Sequence, residues 1–236
     1  MSPLVTFFLV VGLFAHAPVF GQVEIADPTP VFSGIYVGAR DFVKPGTYPL
    51  TAAGERTLSA HNPYVGDPRD LDCLEEPMPQ LILWGVAVME ISHEDDAVVM
   101  KVERGATIRT IHLDVTEPPA GQPNTARGYA VGRWEEDVLS VETTHLLGGV
   151  LFAFEGYPVS SNARFTERYW RNPGENHLQM ELVVYDPVNY TQPVTFEREW
   201  TWSPEEQVQD YNCFSLELDE SGPVDIDELR RRLEQQ

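Results

Sequence analysis

The chain has 236 residues, with 37 acids against 16 bases and a formal net charge of −21. A field of that sign repels phosphate backbones and anionic lipid, which excludes nucleic acid as a partner and favours a neutral or cationic one, or serves solubility alone. The length is enough for one domain with a real hydrophobic core.

The first 21 residues hold no acid or base, and residues 5–14 form an apolar run of signal-peptide length. Residues 1–21 are therefore expected to be a leader, with the mature chain starting near Gln22 in the periplasm or outside the cell. A buried N-terminal helix or strand is the alternative. No later run approaches the ~18 apolar residues a membrane helix needs, so no stable membrane insertion is expected.

Residues 22–80 read as a Pro-rich arm. It opens on a short strand at 33–38, and Pro45, Pro49, Pro63, Pro68, Pro77 and Pro79 then forbid long regular elements. The exception is a short helix at 51–60, where Thr51 is placed to cap the N-terminus and Glu55 falls close to the capping-box position.

Residues 81–216 form an antiparallel β domain. Strands are expected at 81–91, 97–103, 107–113, 128–134, 138–144, 164–171, 177–185 and 194–202, separated by Gly, Pro, Asn and Asp turn chemistry. Eight strands in mostly hairpin order predict an up-and-down sheet that curls into a lipocalin-like closed or nearly closed barrel, with a β-sandwich as the alternative. Two longer connections interrupt it. Residues 116–126 are Pro- and Gly-rich and read as a surface loop. Residues 146–162 are apolar for a connection, so they are expected to close one barrel mouth or pack onto the core. Residues 217–236 form an acidic tail with a short helix, in which Ile226, Leu229 and Leu233 share a face.

Cys73 and Cys213 form an even pair in an exported chain, which favours a disulfide over two buried thiols. The histidines show no metal-ligand spacing, and there is no phosphate-binding glycine loop or Gly-x-Ser-x-Gly elbow. No metal and no cofactor is implied.

Charge interleaved with an apolar strand face marks candidate chemistry. Arg109 shares a face with Ile111 and Leu113, which makes it a candidate for an inward guanidinium, and Glu103 is a possible partner across the Arg104-Gly105 turn. Thr143 and His145 follow Leu139 and Val141, while Phe165, Glu167 and Tyr169 share one face of their strand. The catalytic candidates are His145, Glu167 and Tyr129, with a base of shifted pKa and a donor for developing oxyanion charge. Arg109, Trp134, Glu103, Arg168 and Thr143 are the ligand-binding candidates.

The segment Gly128-Tyr129-Ala130-Val131-Gly132-Arg133-Trp134-Glu135-Glu136-Asp137-Val138-Leu139-Ser140-Val141-Glu142-Thr143-Thr144 carries a resemblance. The chain resembles a widespread group of exported bacterial proteins of unassigned function, marked by a motif like G-H-S-V-G-R-W-E-G-D-T-L-V-V-D-T-T. Matching elements extend from Tyr48-Pro49-Leu50-Thr51 through Asp67-Pro68, Cys73, Met78-Pro79, Glu103, Arg109 and Asp114 to Thr166-Glu167-Arg168, Asp186-Pro187 and Tyr211-Asn212-Cys213. The resemblance implies an exported β-rich domain and brings no activity with it. The motif's His-Ser is replaced by Tyr129-Ala130 and its Gly-Asp-Thr by Glu136-Asp137-Val138, so a mechanism needing that histidine would fail here unless His145 or Tyr129 substitutes.

The leading expectation is an exported protein that binds a small, largely apolar or neutral molecule inside the barrel. The alternatives are a cofactor-independent acid–base enzyme, as a lyase, isomerase or hydrolase, and an envelope module that binds a protein.

Overall fold

The computed structural model describes residues 32–38, 44, 46–62, 76–83 and 87–209. The expected leader, the C-terminal helix and both cysteines lie outside the described residues.

The barrel strands follow the period-two pattern of their sequences. They are β1 (Gly34–Gly38), β2 (Val88–His93), β3 (Ala97–Val102), β4 (Thr107–His112), β5 (Tyr129–Glu135) and β6 (Val138–Thr144), continued by β9 (Arg164–Arg171), β10 (His177–Tyr185) and β11 (Val194–Trp202). Two short strands, β7 (Gly149–Val150) and β8 (Pro158–Val159), pair outside the barrel, and the helices are α1 (Ala52–Ala60) and α2 (Gln80–Leu83). In β10 the burial alternates at every residue, and in β11 it alternates from Val194 to Trp200. One face of each strand is wet and the other meets the core.

The nine strands close in the order β1-β11-β10-β9-β6-β5-β4-β3-β2. This is the expected closed, mainly antiparallel barrel rather than a sandwich. The up-and-down expectation needs one correction, because β4 and β5 run parallel. Parity is the reason: strand direction reverses at every antiparallel junction, and reversal cannot return to its starting sense around an odd ring. A parallel pair needs a long crossover instead of a hairpin. Residues 113–128 supply it, half of them exposed and none fully buried.

The parallel pair is short. Only Ile111↔Ala130 and His112↔Val131 are in register, so residues 107–110 of β4 extend past the start of β5 without a ladder partner there. The other junctions are longer, such as the eight-pair register of β10 on β11.

The expected strand at 81–91 is also corrected. Its first part is the buried helix α2, and the strand proper begins at Val88. An apolar run without alternation fits either element when both faces are buried. The β5–β6 hairpin forms as expected, turning at Glu136-Asp137, with Glu136 at a φ of 56° that a glycine adopts more easily.

Helix α1 starts where expected. The Thr51 hydroxyl accepts from the Gly54 N–H at 3.1 Å and donates to the Val188 carbonyl at 2.7 Å, so the cap also docks the helix on the β10–β11 connection. Gly54 is buried against that connection, where a Cβ would lie 2.3 Å from the Asn189 carbonyl oxygen.

Aromatic rings fill both ends of the barrel. At the α1 end, the 146–162 connection buries Leu151, Phe152 and Val159, stacks Tyr157 on Tyr48 at 3.7 Å and sets Phe152 edge-on to Phe196. Its tip stays outside, with Leu147 60% and Phe154 65% exposed. At the opposite end Trp134 meets Phe32 at 5.2 Å and His93 at 5.6 Å. Between them lies a core of Leu, Val, Ile and Phe, together with Met78, Met89, Met100 and Met180.

Candidate functional site

Inside this apolar wall a guanidinium and a carboxylate face each other. Arg109 occupies an inward position of β4 because Thr107 and Ile111 are buried and Ile108 and Thr110 are exposed. Glu167 occupies the inward row of β9 between Phe165 and Tyr169. Arg109 is 2% exposed and Glu167 1%.

They form a two-pronged pair. Arg109 Nη1 donates to Glu167 Oε2 at 2.7 Å, and Nη2 to Oε1 at 2.7 Å. Thr143 on β6 donates to Oε1 at 2.9 Å and accepts from Nη2 at 2.8 Å. The Tyr169 hydroxyl donates to Oε2 at 2.6 Å and accepts from Nη1 at 3.3 Å. Each carboxylate oxygen thus receives two donors, and all four Nη hydrogens are used.

The electrostatics agree. Burial alone would lower the Arg109 pKa, but the adjacent Glu167 and Tyr169 outweigh it and hold the guanidinium charged. Burial and then the Glu167 charge push the Tyr169 phenol well above its ordinary range, so it stays a donor. Within this cluster Glu167 has no acceptor site left for a substrate proton. The geometry suits a fixed polar anchor better than a general base.

The Arg109–Glu103 pairing is corrected. Glu103 follows β3 in helical backbone geometry, and its side chain accepts from the Gln209 N–H at 3.2 Å. Arg109 reaches instead across the wall to β9. Arg168 alternates away from Glu167 and lies exposed on the outer face, so it is not a lumen ligand-binding residue.

His145 and Tyr129 do not join the cluster among the described residues. His145 follows β6 at a φ of 57°, which breaks the alternation that would have carried it inward, and its Nδ1 lies 2.9 Å from the Thr144 hydroxyl. Tyr129 is half-buried and stacks on His112 at 4.5 Å. Trp134 belongs to the ring cluster at the far end of the barrel. Of the candidates, the structure gathers Arg109, Thr143 and Glu167.

Sequence reasoning passed over Tyr169 as a donor and Arg198 as a second inward cation. Arg198 is buried on β11 between Phe196 and Trp200, donates to the Leu83 carbonyl at 3.2 Å and lies 5.2 Å from the Trp200 ring. Burial pushes its pKa down to about 10. The signal was present, since Arg198 interrupts an apolar row just as Arg109 does.

A cleft of about 230 Å³ opens where β4 overhangs β5. Arg109, Thr110 and His112 border it on one side, and Gln122, Arg127 and Tyr129 on the other. Among the described residues no group of three His, Cys, Asp or Glu is placed to hold a metal ion.

Comparison with protein-family models and with curated proteins gives no match. Among solved structures, the chain is similar to a point mutant of the fluorescent protein UnaG, at 14% identity and a TM-score of 0.35. The similarity covers 74% of this chain and 97% of that one.

Proposed function

We propose that this is an exported binding protein whose barrel holds one small, largely apolar molecule. The observation that carries the reading is a compact polar cluster of Arg109, Glu167, Thr143 and Tyr169 set into a largely apolar, methionine-bearing barrel interior. Apolar walls with a few convergent polar groups are the common form of a small-molecule site. Methionine adds adaptability, because its unbranched side chain repacks around irregular shapes at small cost. The occupied lone pairs of Glu167 favour binding over acid–base turnover.

The test is titration with N-phenyl-1-naphthylamine, a neutral apolar fluorophore, together with solvent extraction of the natively purified protein and mass spectrometry. Saturable uptake at one probe per chain, displaced by the extracted compound, is the expected result. Absence of both uptake and extractable ligand overturns the reading, and a changed compound after incubation replaces it with an enzyme.

A further inference from the structure

Resting on that reading, the Arg109 cluster also specifies the ligand's polar group. A guanidinium carries five N–H donors. Four are taken by Glu167, Thr143 and Tyr169, while the fifth, Arg109 Nε–H, is buried without a protein partner. A buried donor on a charged group is expensive to leave unmatched, and such a group in a native fold calls for an explanation. Arg109 also borders the cleft beside β4, together with the outward-facing Ile108 and Thr110.

We propose that Arg109 Nε–H is the anchoring donor for the ligand, and that the group it holds is an uncharged acceptor: a ketone, ester or amide carbonyl on an otherwise apolar molecule. Three features select that chemistry. The guanidinium charge is already balanced by Glu167, so a ligand carboxylate would bring a second buried anion beside the first. The carboxylate has four donors on it, so a ligand hydroxyl that accepted from Nε–H would find no carboxylate lone pair for its own proton. A plain hydrocarbon leaves Nε–H unmatched.

The experiment is displacement of N-phenyl-1-naphthylamine by four matched chains: 2-undecanone, 2-undecanol, undecanoate and undecane. The ketone is expected to bind about tenfold tighter than the alkane, which is the worth of one hydrogen bond to a charged donor, with the alcohol and the carboxylate both weaker than the ketone. In Arg109→Met/Glu167→Leu the ketone is expected to lose its advantage over the alkane. A second measurement needs no variant: the Arg109 ¹H–¹⁵N ε resonance moves on adding 2-undecanone and stays in place on adding undecane. Equal displacement by ketone and alkane, a tighter carboxylate, or a ketone advantage that survives in the double variant overturns the proposal while leaving the lumen reading intact. A fluorophore that does not bind, from a protein that also yields no extractable ligand, overturns the lumen reading and the proposal with it.

Discussion

At the scale of single residues, the pair Arg109–Glu167 sets the balance between stability and specificity. Both charges are buried, so removing one leaves the other uncompensated, whereas removing both exchanges a desolvated ion pair for apolar packing. Arg109→Ala is accordingly expected to lower unfolding free energy by about 3–5 kcal/mol, and Arg109→Met/Glu167→Leu to restore it to the wild-type value or above. Urea denaturation monitored by tryptophan fluorescence checks both. A single variant as stable as the wild type would show that water reaches the pair. The inward guanidinium was legible in the alternation of β4. Its partner was not: Glu103 is near in sequence, but Glu167 lies 58 residues on and is brought close only by the order of strands in the closed sheet. Residue types and spacing carry a strand's facing, not its neighbours across the wall. His145 failed for a still more local reason, since one left-handed residue past a strand end cancels the period-two rule.

At the scale of elements, the seam between β4 and β5 differs from every other junction. Leu113 N–H donates to the Asp96 carbonyl at 2.7 Å, and alternation from that bond turns the amides of Ile111, Arg109 and Thr107 toward β3. The amides of Ile108 and Thr110 face the β5 side, beyond the last register pair. Hydrogen exchange should therefore split β4 residue by residue, with Ile108 and Thr110 exchanging at least about a hundredfold faster than Arg109 and Ile111, as unbonded and ladder-bonded amides do. Uniform protection along β4 would mean that the crossover pairs with it throughout. Strand spans at 138–144, 164–171, 177–185 and 194–202 were legible because each is alternating and bounded by turn chemistry. Helix α2 was not, because a short run buried on all sides has no polar face to show its period.

At the scale of the whole molecule, closure depends on β1, which lies between β2 and β11 and joins the two ends of the strand order. Deleting residues 34–38 leaves two long edges unpaired, and exposed edges recruit other chains. The shortened protein is expected to elute as oligomers by size exclusion with light scattering. A stable monomer would show that β2 and β11 can close on each other. The barrel itself was legible as a class from strand count and turns, while the ninth strand and its parity were not, since the first strand was read as part of the arm. That parity has an inheritance of its own. Inserting or removing a hairpin changes the strand number by two, and two added to an odd number is odd again. Any descendant built that way from this chain keeps a parallel junction somewhere in its wall, and with it the place where the wall is least tightly sewn.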